Sequence, residues 1–263
     1  MPRTPLGHIH WVEAGPKHSA SAVVLQHGLG GDVGFWAAEQ AALAAHFRVL
    51  AIDLRGSGES LPCSGPFSMQ DLAGDVIDVL DAAGIESAHI VGFSMGGLVA
   101  QALAVEHPAR VRRLVLAATF ATTNMQARLF LEAVGSVYRN GASAKQMFEL
   151  ILPWLFSPAF LSGPHASPYL DYPEDAEGEQ SREDWLRLLD AQLAFDGLDL
   201  LASIKAPTLV VAGEEDRLAP PTDAAQLTQG IEGAVLRVLP GGHLMNVESP
   251  DAFQKVLISF FTS

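Results

Sequence analysis

Short apolar runs alternate with helical patterns through the first half of this 263-residue chain, and few folds accommodate that alternation. Segments 8–12, 22–26, 48–54, 88–93 and 111–117 read as strands, being apolar, rich in branched residues and bounded by turn clusters. Segments 35–45 and 95–106 read as helices, the second stopped by Pro108. Ser68, with Asp71 three residues on, has the form of a helix N-cap. Leu72, Val76, Val79 and Leu80 then keep helical spacing until Gly84, which suits the residue just past a helix end. Strands separated by helices pair in parallel, because parallel neighbours need a crossover connection. The strands are apolar almost throughout, as expected where helices cover both faces of a sheet. The expected class is α/β with a mostly parallel sheet flanked by helices.

The alternation breaks between 120 and 204, where the patterns are helical, with Leu129, Phe130, Val134, Met147, Phe148, Ile151 and Leu155 among the apolar positions. Five prolines punctuate this stretch, and 171–179 is acidic enough to read as a solvated loop. It divides the chain into a core of residues 1–119 and 205–263 and a helical cap, 120–204, inserted over one end of the sheet. Alternation resumes with a strand at 208–212, a helix near 222–228 and a last strand at 235–239. Ser249 and Pro250 then open a final helix, Ser as N-cap and Pro in the first turn.

Four turn motifs carry chemistry. Gly92-Phe93-Ser94-Met95-Gly96 is G-x-S-x-G between a strand and a helix with small residues, the context of a nucleophile elbow. A serine hydroxyl needs a base to take its proton, and His243, in the turn directly after the last strand, is the best placed histidine. The base in turn needs a carboxylate to hold its tautomer, and Asp216 follows the strand at 208–212. Glu215 competes for that role from the same turn. Acyl transfer also needs donors for an oxyanion. The backbone N–H of Met95, just after the serine, is one candidate. The N–H of Leu29, in the Gly-rich turn His27-Gly28-Leu29-Gly30-Gly31, is the other.

Composition excludes other classes. A formal charge of −14 disfavours both nucleic acid and an anionic membrane surface. Cys63 is the single cysteine, so neither an intrachain disulfide nor a cysteine-based zinc site is expected. His8 and His10 share one face of an early strand but lack the further ligands a metal needs. No cofactor and no metal are expected. The first residues lead into no apolar signal segment, and no stretch is long and apolar enough to span a membrane, so a cytoplasmic setting is expected. Oligomeric state is not legible.

Those turns, with Asp53-Leu54-Arg55-Gly56-Ser57-Gly58-Glu59-Ser60 and Gly241-Gly242-His243, resemble the α/β-hydrolase superfamily across both core segments. Phe35-Trp36, Leu152-Pro153-Trp154-Leu155-Phe156 and the segment from Gly242 to Glu248 are most similar to small 3-oxoadipate enol-lactonase-like and aminoacrylate hydrolase-like esterases. The resemblance implies an eight-stranded, mostly parallel sheet, a cap after the sixth strand, and Ser94, Asp216 and His243 as catalytic residues. It further implies a small carboxylic ester or lactone as substrate. Trp36, Met95, Phe120, Phe130, Trp154 and Phe156 are the expected pocket liners, and Arg128, Arg139 and Lys145 could receive a substrate carboxylate. Carbon–carbon bond hydrolysis of a vinylogous diketone, perhydrolysis, and a ligand receptor on a hydrolase scaffold remain alternatives.

Overall fold

The apolar runs lie side by side in one twisted sheet. The structure, a computed structural model, describes residues 9–17, 21–61, 65–172 and 180–263. Among the described residues the strands are β1 (Trp11–Ala14), β2 (Ala22–Gln26), β3 (Arg48–Ile52), β4 (Ala88–Phe93), β5 (Val111–Ala117), β6 (Thr208–Gly213) and β7 (Val235–Leu239). Their spatial order is β1-β3-β2-β4-β5-β6-β7, with β1 antiparallel to β3 and every other pair parallel.

The period-2 alternation of each strand sends successive side chains to opposite faces. Val24, Leu50, Ile90 and Leu116 build one core with α2 (Met69–Ala82) and α3 (Met95–Glu106). Val23, Leu25, Val49 and Val91 build the other, under α1 (Ala37–Leu43) and α11 (Pro250–Thr262). The capping box of α2 forms as its sequence predicts: Asp71 N–H donates to Ser68 Oγ and Ser68 N–H to Asp71 Oδ2. Gly84 closes the helix at φ 66°. Ser249 stands at the start of α11 without capping it, since its hydroxyl donates instead to Pro240 O at 3.0 Å.

Between β5 and β6 the chain makes α4 (Met125–Arg139), α5 (Ala144–Leu155), α6 (Pro158–Leu161), α7 (Ser167–Leu170) and α8 (Arg182–Ala194). The remaining helices are α9 (Pro221–Gly230) after β6 and α10 (Met245–Glu248) after β7. None among the described residues is long and apolar enough to cross a membrane.

Some details differ from the expected ones. The described sheet has seven strands rather than eight, and the inserted helices follow the fifth, because the described sheet begins at the antiparallel edge strand β1. His8, Cys63 and most of the acidic stretch fall outside the described residues. The expected helix over 35–45 opens as a 3-10 turn, Val33–Trp36, in which Asp32 caps the Gly34 N–H. Finally, β7 exposes Val235 and Val238, because it is a sheet edge rather than a strand covered on both faces.

Register fixes where the turns emerge. Gln26 pairs with Ile52 on one side and Gly92 on the other, Phe93 with Ala117, and Gly213 with Leu239. The carboxyl ends of these strands therefore form one edge, and the strand order reverses between β2 and β4. Ligand sites of open α/β sheets sit at such a reversal.

Candidate active site

Ser94 occupies the sharp turn between β4 and α3 with φ 52° and ψ −119°, a left-handed backbone that a non-glycine residue adopts only under constraint. The constraint is visible. Ser94 N–H donates to Ala117 O at 2.9 Å, and its own carbonyl accepts from Thr119 Oγ1 at 2.7 Å. Gly96 lets α3 press against the end of β2, because a Cβ there would lie 2.4 Å from Gln26 O.

The three polar residues predicted from the sequence come together in one line. His243 Nδ1 lies 2.8 Å from Asp216 Oδ2, and His243 Nε2 lies 3.0 Å from Ser94 Oγ. With Nδ1 protonated to donate to the carboxylate, Nε2 is left to accept the serine proton. Asp216 Oδ1 accepts the N–H groups of Leu218 and Ala219 at 2.8 and 2.9 Å, so its orientation is fixed by backbone. Asp216 and His243 are each only 4% exposed, while Glu215 points to solvent. The turn alternative is thereby resolved in geometry: Asp216 is the carboxylate that meets the imidazole.

The loops that bear these groups are joined to each other. Glu215 N–H donates to Gly241 O at 2.9 Å, which binds the turn after β6 to the turn after β7. Glu248 reaches both the histidine loop and the inserted helices. Its Oε1 accepts from Gly242 N at 2.9 Å and Ser157 N at 2.8 Å, and its Oε2 from Ser157 Oγ at 2.6 Å. Leu244 N–H completes the junction on Leu155 O at 2.8 Å.

Leu29 lines the same cavity as Ser94, and Met95 follows Ser94 directly in the chain. Met95 opens α3, so its N–H has no carbonyl of its own helix to meet. The turn bearing Leu29 packs directly on Ser94, since a Cβ on Gly28 would lie 3.0 Å from Ser94 Cβ. His27 pins this turn: its Nδ1 donates to Gly28 O at 2.7 Å and its Nε2 accepts Leu54 N–H at 3.1 Å. Burial holds the ring below the usual histidine range, which keeps it neutral and suited to one donation and one acceptance. Asp53 braces the same edge, taking Val33 N–H at 2.6 Å, Glu59 N–H at 3.0 Å and His10 Nδ1 at 2.6 Å.

Ser94 and His243 open into a cavity of about 200 Å³ between the sheet edge and the inserted helices. Of the predicted liners, Phe120 and Phe130 face it. Trp36, Trp154, Phe156 and Met95 do not line it. Trp36 is buried beneath, edge-on to Phe35 and Phe93; Trp154 stacks behind Phe130 at 4.1 Å; Phe156 stacks on Phe160 at 4.7 Å. Met95 is fully buried, its side chain turned into the core. Phe35, Trp185 and Gln192 are liners that sequence reasoning missed. Trp185 and Gln192 lie seven residues apart on α8 and so share a face, a spacing signal that was available. Arg128, Arg139 and Lys145 lie outside the lining: Arg128 donates to Leu193 O at 2.8 Å and Arg139 pairs with Asp190.

Known proteins share this arrangement of chain. The sequence pattern of the alpha/beta hydrolase fold matches residues 21–250. A protein of Variovorax paradoxus named as a carbamate hydrolase, RutD, is 34% identical over 256 residues, which span 96% of this chain and 95% of the relative. The 3-oxoadipate enol-lactonase 1 of Acinetobacter baylyi is 31% identical over 261 residues, spanning 95% of this chain and 91% of its own length. The crystal structure of an enol-lactonase from Burkholderia xenovorans superposes with a TM-score of 0.89 at 32% identity, over 97% of this chain and 96% of that one.

Proposed function

The chain belongs to the α/β-hydrolase fold family, and from that premise we propose that it is a serine hydrolase of small carboxylic esters or lactones. One observation carries the reading: the hydrogen-bonded line from Asp216 through His243 to Ser94 opens into an apolar cavity. In the proposed first step Ser94 Oγ attacks the substrate carbonyl as His243 Nε2 takes the hydroxyl proton. The carbonyl oxygen gains the electron pair and is held by the N–H groups of Leu29 and Met95. Collapse expels the alcohol, which takes the proton from His243 and leaves an acyl group on Ser94. A water then gives its proton to His243, attacks the acyl carbonyl and releases the acid, while the proton returns to Ser94. Asp216 holds the imidazole in its tautomer throughout and stabilises the imidazolium.

The helices between 120 and 204 act in this reading as a cap that excludes water from the acyl group. A lactone substrate accords with the enol-lactonase relatives. A second reading, carbamate hydrolysis, is favoured by the relative named for that activity and uses the same acyl-transfer steps. Hydrolysis of p-nitrophenyl esters from acetate to decanoate, with a lactone and a p-nitrophenyl carbamate alongside, tests the proposal. Turnover is expected to fall with chain length in so small a cavity, and Ser94→Ala is expected to lose about 10⁴-fold or more in kcat. Undiminished turnover in Ser94→Ala would sink the serine mechanism.

A further inference from the structure

Gln192 stands out in the cavity. It is 3% exposed, lines an otherwise mainly apolar wall, and its side-chain oxygen has no hydrogen-bond partner. Buried polar atoms are nearly always paired, so an unpaired carboxamide oxygen in a cavity wall is an acceptor whose donor arrives with a ligand. Its place is not incidental. Gln192 lies two turns along α8 from Trp185, and both residues line the cavity that holds Ser94.

The surroundings restrict that partner. Phe120, Phe130, Leu131, Ile151 and Leu218 supply apolar walls, and among the described residues no Lys or Arg lines the cavity. Arg128, Arg139, Lys145, Arg182 and Arg187 of the inserted segment lie outside the lining, and the chain carries a formal charge of −14, which repels anions on approach. A carboxylate entering this cavity would shed its hydration with no charge to meet it. A neutral hydroxyl or an amide N–H can donate to the Gln192 oxygen, whereas a carboxylate has no proton to give it.

We infer that Gln192 is a specificity-determining residue that selects neutral substrates, compact apolar esters bearing one hydrogen-bond donor apart from the scissile bond. This deepens the hydrolase reading and rests on it for the scissile bond. The cavity therefore discriminates against the anionic substrates that a dicarboxylic lactonase would take.

Binding to the Ser94→Ala protein tests the inference without turnover. The probes are phenyl acetates substituted at ring position 3 or 4 with ethyl, hydroxymethyl or carboxylate, groups of similar size and different polarity. Calorimetric titration is expected to show one hydroxymethyl isomer binding about tenfold tighter than its ethyl counterpart, and both carboxylates at least about tenfold weaker than that isomer. Adding Gln192→Met is expected to abolish or reverse the hydroxymethyl preference while leaving ethyl binding intact and thermal stability equal or higher. A purely structural glutamine would lower stability and leave the preference alone. Ethyl binding as tight as hydroxymethyl at both positions, a preference that survives Gln192→Met, tightest binding by a carboxylate, or no binding by any probe would each overturn it. Absence of wild-type hydrolysis would strike the hydrolase reading alone, since these titrations do not depend on turnover.

Discussion

Asp216 and Glu215 are adjacent carboxylates in one turn, yet their surroundings assign them different work. Asp216 is buried and spends both oxygens, one on His243 and one on the Leu218 and Ala219 N–H groups. Glu215 projects into solvent and contributes its backbone N–H to the neighbouring loop. Replacing Asp216 by Asn keeps the shape but lets the amide face His243 Nδ1 with a donor, which favours the tautomer that cannot accept from Ser94. Asp216→Asn is therefore expected to reduce kcat by about 10⁴-fold with little change in KM, and Glu215→Gln to stay within about twofold of wild type. Steady-state hydrolysis of the best ester of the series measures both. A silent Asp216→Asn, or a crippled Glu215→Gln, would reassign the carboxylate.

The histidine loop and the inserted helices meet at Glu248, whose carboxylate ties one to the other. One carboxylate holds Gly242 of the loop and Ser157 of the insertion through three hydrogen bonds. Removing them with Glu248→Ala leaves two backbone N–H groups without their acceptor, an expected cost of about 2–3 kcal/mol in urea unfolding. It also frees the backbone beside His243, so kcat/KM is expected to fall on the order of tenfold. Glu248→Gln retains the oxygen that serves both N–H groups, and its amide can donate to Ser157 Oγ; it is expected to recover most of both losses. Equal stability of Glu248→Ala and wild type would deny the clamp. No sequence pattern announced this contact, since Glu248 enters the sequence only as the end of the segment from Gly242 that resembles the small esterases. The contrast with the sheet is instructive. Strand–helix alternation, the Ser68–Asp71 capping box and Gly84 are local signals, and they reappear where expected. The order Ser94, Asp216, His243 was legible because each residue sits in a turn directly after a strand, where register alone sets its position. The cavity wall was not, because it depends on how helices tilt over the sheet. Of the neighbours Phe35 and Trp36, the 3-10 turn sends the first into the cavity and the second beneath it. Phe130 faces the cavity while Trp154 stacks on its back. Gln192, a polar residue in a helix, reads as surface until the fold buries it.

The fold as a whole places two titratable side chains under the face covered by α1 and α11, and their effects on stability oppose each other. Burial pushes the Glu39 carboxyl up from 4.5 to about 7, with its own backbone and Asn246 countering part of the shift. Burial, with help from Arg112 and Arg113, pushes His89 down from 6.5 to about 4, where the ring stacks on Phe261. Between about 4.5 and 7 the unfolded chain releases the Glu39 proton that the folded chain keeps, so this group makes stability fall as pH rises. Between about 4 and 6.5 the unfolded chain binds a proton at His89 that the folded chain refuses, so this group makes stability rise with pH. Each contribution is on the order of 2–3 kcal/mol across its window, and over the shared interval they largely cancel. Single substitutions are expected to expose the hidden slopes. Relative to wild type, Glu39→Gln should gain stability steadily from pH 5 to pH 7, by about 1–3 kcal/mol, because the group that penalises higher pH is gone. His89→Asn should show the reverse, losing its advantage over wild type as pH climbs from 4.5 to 6.5. Asp75 and Asp223, whose carboxyls burial also raises, tilt every curve alike and cancel in these differences. Urea unfolding of the three proteins at half-unit pH steps measures the slopes directly. Curves for both variants parallel to wild type would mean that neither group changes its proton affinity on folding; divergence in opposite directions is the outcome the buried pair requires.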